Sequence, residues 1–489
     1  MSASTKQRNW ALDCLRLVAV LLVVQRHQMG EPTGLFSPVW DALVRGGWVG
    51  VDIFFVLSGY LVGGLLFQEH QARGCLDWKR FLVRRGLKIY PAFYVWLAVA
   101  VAIAASRGHR PSQAQFFGEL LFLQNYLGNL RHHTWSLAVE EHFYLGLTFL
   151  LASLARFARS APFSKVPAII AAVGIGCLVL RLATDQRGTA LGSGKFSPDD
   201  LIGTASFATK ILAPSDDLAR FVRSKLRPET LAAMGPWRDG GIIGPSGQAP
   251  VLSDLNAIVM GPSIWAPGLF AGIPVRPEVR TAAERSLSGG ERSRLNRRLL
   301  EDAFPRELSR KPDLRPFFWT HLRVDSLAFG VLLAYAGIFH GARLREWTRS
   351  MRWVLSAAGI LCLAPAFMMD AEDSWWMRTF GFTINYLGAG ALVLVCVGSG
   401  ETRTAPSYVA PLAWLGSASY SIYLWHLDVI WQVFPRLHDV RGWSVEATAL
   451  ASLIASLAVG VLFGRAVEWP VLRWRDRIAP SRVSGKPLK

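Results

Sequence analysis

The chain has 489 residues, 51% hydrophobic and 18% charged, with a formal net charge of +18 and a mean hydropathy of +0.27. Its apolar residues gather in runs of about bilayer length, which excludes a string of soluble domains and points to one polytopic membrane protein. The positive charge flanks those runs instead of forming a basic stripe with interleaved aromatics, which argues against a nucleic-acid partner.

In chain order the apolar segments fall at about 11–29, 49–67, 90–105, 136–154, 166–182, 320–339, 353–369, 379–397, 414–434 and 445–464. The spacing predicts an all-α, polytopic integral membrane protein with about ten transmembrane helices. The first segment follows Lys6 and Arg8 as a signal peptide would, but no small-x-small cleavage site follows it, so it reads as a retained first span. A shorter run, "FFGELLFLQNY" at 116–126, reads as re-entrant or interfacial. Nineteen Trp and 27 Phe fit aromatic belts at two interfaces. The five cysteines show no CxxC pairing, which excludes a metal knuckle and argues against a disulfide framework.

Charge orients these spans. With the N-terminus inside, the inner segments carry 23 Lys and Arg and the short outer loops carry 7. That asymmetry places both termini in the cytoplasm. Residues 183–316 break the pattern: they hold 19 basic and 15 acidic residues, are rich in Gly, Pro and Ser, and contain no span. They read as an extracytoplasmic insertion between the sixth and seventh spans. The expected division is therefore 1–182 and 317–478 as membrane helices, 183–316 as the insertion and 479–489 as a cytoplasmic tail. Within the insertion, "SLSGGERSR" and "GTALGSGKFS" imitate nucleotide-binding loops. The second has Thr189 where the first glycine of a phosphate cradle must stand, so both read as chance.

Ionisable residues inside apolar helices are the sites to explain, because such groups normally face a polar cavity or one another. Arg16 and His27 are eleven positions apart, so they return to within about 20° of one helix face and stand roughly 16 Å apart along it. The predicted topology sets His27, Asp52, Glu140, Glu141, Arg323, Asp325 and His426 toward the outer side, with Arg84, Arg85 and Lys88 on the inner side. A proton-coupled secondary transporter would also use embedded acids and histidines, but it would carry internal repeats that this sequence lacks.

The stretches Arg16-x10-His27, "GWVGVDIFFVLSGYL", "FLVRRGLKIYP", "TWSLAVEEHFYL", "THLRVDSLAFG", "SYSIYLWH" and "VEWPVLR" resemble the acyltransferase-3 family of polytopic membrane O-acyltransferases, in family order. The resemblance implies His27 as the catalytic histidine and Arg16 as its companion. It implies that Arg84, Arg85 and Lys88 hold the phosphates of an acyl-coenzyme A, acetyl-coenzyme A above all, as the donor. Asp52, Glu140, Glu141, Arg323, Asp325 and His426 match family positions of functional or structural weight, with Asp52 or Glu141 able to orient the imidazole. No metal or permanently bound cofactor is implied. The expected partners are the donor, a carbohydrate or glycolipid acceptor and the bilayer, and the expected site is a bacterial cytoplasmic membrane. His142 stands where the family usually has Gln, and Lys88 where it usually has Arg, which removes a bidentate fork from phosphate recognition.

Overall fold

The computed structural model describes residues 9–30, 32, 35–106, 111–157, 161–185, 315–371, 374–400 and 405–480. Every regular element among them is helical. In order they are α1 (Trp10–Arg26), α2 (Ser37–Gly46), α3 (Val49–Arg73), α4 (Trp78–Ser106), α5 (Gln113–Leu120), α6 (Gln124–Leu127), α7 (Trp135–Phe157) and α8 (Val166–Asp185). They continue with α9 (Arg315–Phe318), α10 (Val324–Phe339), α11 (Gly341–Ser350), α12 (Arg352–Met368), α13 (Phe382–Gly400), α14 (Ala410–Gly416), α15 (Ser419–Phe434), α16 (Val445–Phe463) and α17 (Trp469–Ile478).

Nine of the ten apolar segments each fall mainly on one helix, and the tenth, 414–434, is divided between α14 and α15. Among the described residues six helices are long and apolar enough to cross a membrane, or up to seven if α10 and α11, bent by 109°, count as one broken span. These helices make the chain a helical membrane protein. The 116–126 run folds as two short pieces, α5 and α6, which agrees with its reading as a non-crossing segment. Apart from its edges, the expected insertion lies outside the described residues. Counted on the ten long segments alone, it follows the fifth, α8, instead of the sixth.

Local chemistry sets the ends. Asn9 caps α1 by accepting from the amides of Ala11 and Leu12, and Ser112 with Gln115 forms a capping box on α5. Gly74 ends α3 in the left-handed conformation, at φ 70°.

One very close crossing is between α3 and α10. A Cβ on Gly59 would lie 1.9 Å from the Leu327 carbonyl oxygen, and one on Gly330 would lie 2.2 Å from that of Val56. Two glycines thus let the backbones touch, the usual device for packing helices where lipid supplies no hydrophobic drive. The crossing carries ion pairs. Arg323 donates to Asp52 at 2.6 Å, and its guanidinium lies 3.8 Å from the Phe382 ring centroid. One turn away, Arg181 of α8 pairs with Asp325 at 2.8 Å and donates to the Leu322 carbonyl and the Thr383 hydroxyl. All four side chains are at most 1% exposed.

A second buttress lies beside α7. Glu119 is fully buried, and its Oε1 accepts from the Leu130 amide at 2.9 Å and the Thr134 hydroxyl at 2.8 Å. It thereby fixes the turn His132–Thr134 that leads into α7. Burial raises its carboxyl to about 7.

Two outcomes are expected. Arg323→Met leaves Asp52 buried without its cation and destabilises the protein by about 3–5 kcal/mol, while adding Asp52→Leu recovers much of the loss. Thermal unfolding in detergent measures both. For Glu119 the folded state holds a proton that the unfolded chain has released, so its contribution is present below the unfolded value of 4.5 and is lost as pH rises to about 7. Glu119→Gln mimics the protonated acid, and the melting temperature of wild type relative to this variant should fall across that window.

Candidate active site

The end of α1 creates the first part of the site. The last turn tightens, so that the His27 amide donates to the Val24 carbonyl at 3.2 Å, an i→i+3 bond. The Val23 carbonyl, which an unbroken α-helix would give to that amide, instead accepts from the His27 ring at Nδ1, 2.8 Å away. His27 is half-buried. The same nitrogen faces Nε2 of His426, on α15, at 3.0 Å.

Two more imidazoles complete the group. The His132 ring lies 5.0 Å from that of His27 and is exposed. The buried His133 ring lies 5.1 Å from that of His426, and its Nε2–H donates to the Leu424 carbonyl. Tyr423 ties α15 to this turn, its hydroxyl donating to the His133 carbonyl at 2.8 Å and meeting the Ser136 hydroxyl at 2.6 Å. Next to them Asp428 accepts from Arg131 at 2.7 Å and from the Trp96 indole at 2.8 Å, while Arg131 covers the face of Trp431. Among the described residues no set of three or more His, Cys, Asp or Glu is placed to hold a metal ion. Within the cluster His27 and His426 share a hydrogen bond, and His132 and His133 adjoin them through ring contacts.

A separate polar group forms where α3, α4 and α7 meet. Arg85 pairs with Glu140 at 3.6 Å, donates to the Tyr144 hydroxyl and stacks its guanidinium 3.9 Å from that ring. Tyr144 in turn donates to Glu140 and meets Ser58. Glu141 accepts from the Tyr90 hydroxyl at 3.0 Å. Lys88 lies within electrostatic reach of Arg85, Arg16 and Glu468, and among the described residues no acceptor pairs with its ammonium. Arg16 pairs within its own helix with Asp13, at 2.5 Å.

The single outer layer expected from the sequence is therefore divided. His27 and His426 do meet. Asp52, Arg323 and Asp325 form the brace at the α3–α10 crossing instead. Glu140 and Glu141 belong with Arg85 and Tyr90, because α7 begins at Trp135 and carries both acids more than a turn into the bundle. The partners of the His27 ring are Val23 and His426, so neither Asp52 nor Glu141 holds the imidazole. The three expected donor-site cations part company too. Arg84 pairs with Asp476 of α17 at 3.0 Å and donates to the Ala479 carbonyl, while Arg85 turns inward. His142 uses Nδ1 to meet the Thr320 hydroxyl at 2.7 Å.

Arg181, His132, His133, Tyr144 and Asp428 escaped the sequence reading. Arg181 and Asp428 each interrupt an apolar run, the signal that singled out the other sites, and could have been found by it. His132 and His133 precede their helix and carry no such mark.

Residues 9–197 match an acyltransferase domain, that of the acyltransferase-3 family. The chain is 34% identical over 160 residues to the peptidoglycan O-acetyltransferase OatA of Listeria monocytogenes, covering 28% of this chain and 23% of that protein. It is 32% identical over 151 residues to a Bacillus subtilis protein provisionally named peptidoglycan O-acetyltransferase YrhL, covering 27% and 22%. A Staphylococcus aureus protein provisionally named an O-acetyltransferase is 30% identical over 159 residues, covering 29% and 24%. The alignments thus span about a quarter of the length of these relatives. No solved structure matches the chain. The stretch that matches the acyltransferase-3 domain, residues 9–197, contains His27 and the Arg85 cluster.

Proposed function

We propose that the protein is a membrane O-acyltransferase that moves an acetyl or other acyl group from cytoplasmic acyl-coenzyme A to a hydroxyl of an extracytoplasmic carbohydrate. The relatives' names point to a peptidoglycan-type glycan as acceptor. In this reading both termini are cytoplasmic, all ten apolar helices cross a bacterial cytoplasmic membrane, and residues 183–316 lie outside it. The observation that carries the proposal is the pairing of a held imidazole at one end of α1 with a cationic group, Lys88 beside Arg85 and Arg16, deeper in the bundle.

The chemistry follows from those two groups. Lys88 and Arg85 offer positive charge to the donor's phosphates, and Arg16, on the His27 face of α1, lies along the path of the pantetheine arm. At the thioester, Nε2 of His27 takes the proton of the acceptor hydroxyl as its oxygen bonds to the carbonyl carbon. The tetrahedral intermediate collapses by breaking the carbon–sulfur bond. The thiolate leaves as coenzyme A after taking the proton back from His27. Histidine suits both steps, since its unperturbed titration lies near neutral pH.

Membranes carrying the full chain, supplied with acetyl-labelled coenzyme A, should transfer label to glycan. His27→Ala should reduce that transfer by on the order of 10²–10⁴-fold, the usual contribution of a general base. Normal transfer by this variant, or uptake of solute with no labelled glycan, would overturn the assignment in favour of a transporter or another base. Lys88→Met should raise KM for acetyl-coenzyme A by about ten- to a hundredfold with little change in kcat, the loss of one charge-assisted contact to phosphate.

A further inference from the structure

We propose that His426 is the positioning residue that sets the tautomer of His27 and shares the charge the imidazole acquires during acyl transfer. The inference rests on the reading of His27 as the general base.

The argument starts from partners that can only accept. Nδ1 of His426 lies 2.6 Å from the Tyr423 carbonyl oxygen, which has no proton to give. That nitrogen therefore carries the hydrogen, and in the neutral ring Nε2 is left with a lone pair. The lone pair points at Nδ1 of His27, 3.0 Å away. Nδ1 of His27 also faces the Val23 carbonyl at 2.8 Å, again an acceptor only. Two acceptors converge on one nitrogen, so the proton between the rings belongs to His27. Its other nitrogen, Nε2, is then the unprotonated one, as proton abstraction requires.

A backbone carbonyl by itself fixes one direction. The second acceptor, arriving from α15, fixes the plane of the ring as well. His426 is itself immobile: it is 0% exposed, with the rings of His133 and Tyr423 5.1 Å and 5.6 Å from its own. When Nε2 of His27 accepts the acceptor's proton, positive charge spreads over the ring to Nδ1–H. That bond to the His426 lone pair then becomes charge-assisted, and charge-assisted hydrogen bonds are about twice as strong as neutral ones. The pair is stronger in the transition state than before it, which lowers the barrier without tightening substrate binding. A catalytic triad assigns this duty to a carboxylate. Here an uncharged ring performs it, and no unpaired anion has to be buried.

The test compares two replacements of similar length. Glutamine places an amide oxygen where His426 Nε2 stands, and methionine fills the space without a strong acceptor. Coenzyme A release from acetyl-coenzyme A is followed in membrane vesicles carrying the full chain and their endogenous glycans, with thermal unfolding in detergent as the check on folding. His426→Met should lower kcat by on the order of 10- to 10²-fold at unchanged KM, the range typical when the orienting partner of a functional imidazole is lost. His426→Gln should recover most of that rate. Full activity in His426→Met, a loss confined to KM, or a glutamine variant as slow as the methionine one would each overturn the proposal. Should the methionine variant fail to fold, His426→Asn replaces it, since its shorter amide can serve Tyr423 but does not reach His27. His27→Ala is run in parallel. Activity there would defeat the functional reading itself, whereas an inactive His27→Ala beside a fully active His426→Met defeats only the role given to His426.

Discussion

The ion pair between Asp52 and Arg323 is the constraint on which the bundle depends. Two charges with almost no exposure stand at the crossing of α3 and α10, where glycines bring the helix backbones into contact. Neither charge is tolerable in an apolar interior without the other. The pair therefore fixes the rotation of both helices about their axes, and the neighbouring pair of Arg181 and Asp325 extends the restraint to α8. With α3 held in this way, the helices that pack on it, α1 and α7 among them, have a defined seat. They are the helices that present His27 and Glu140.

Two other polar groups stand apart from that network of ion pairs. Asp52, Arg323, Arg181 and Asp325 satisfy charge with charge, which suits a brace. The imidazole cluster has a nitrogen of His27 to spare, and Lys88 has an ammonium with no acceptor paired to it among the described residues. Burying such groups has a cost that packing alone does not repay. Under the proposed function the first takes up a proton and the second an anionic group.

Much of this was legible in the chain, and the part that was not shares one cause. Hydrophobic runs of bilayer length fell on helices, and charge marked His27, Asp52, Arg85 and His426 as residues needing explanation. Sequence fixes the depth of a residue through its distance from a helix end. It fixes rotation only relative to other residues on the same helix. Arg16 and His27 could therefore be put on one face, but the partner of either could not be named. Arg84 and Arg85 are adjacent in sequence and about 100° apart around α4, enough to send one to Asp476 and the other to Glu140. Depth along α7 was equally decisive. Glu140 and Glu141 stand more than a turn past Trp135, where they meet Arg85 and Tyr90 and not the histidines.

His27 owes its placement to a helix end. A histidine in the middle of α1 would find every nearby carbonyl committed to the α-helical ladder. At the C-terminal turn the ladder shortens, the His27 amide moves to Val24, and the oxygen of Val23 is released. The ring takes that oxygen through Nδ1. One event thereby satisfies an orphan carbonyl, orients the imidazole and directs its basic nitrogen away from the helix. Because the acceptor is backbone, substitution of Val23 cannot remove it. The restraint that sequence change can remove is the one from α15, 399 positions away. The orientation of the His27 ring is thus shared with an element 399 positions away, and under the proposed function α15 must be packed in place before α1 carries a competent base.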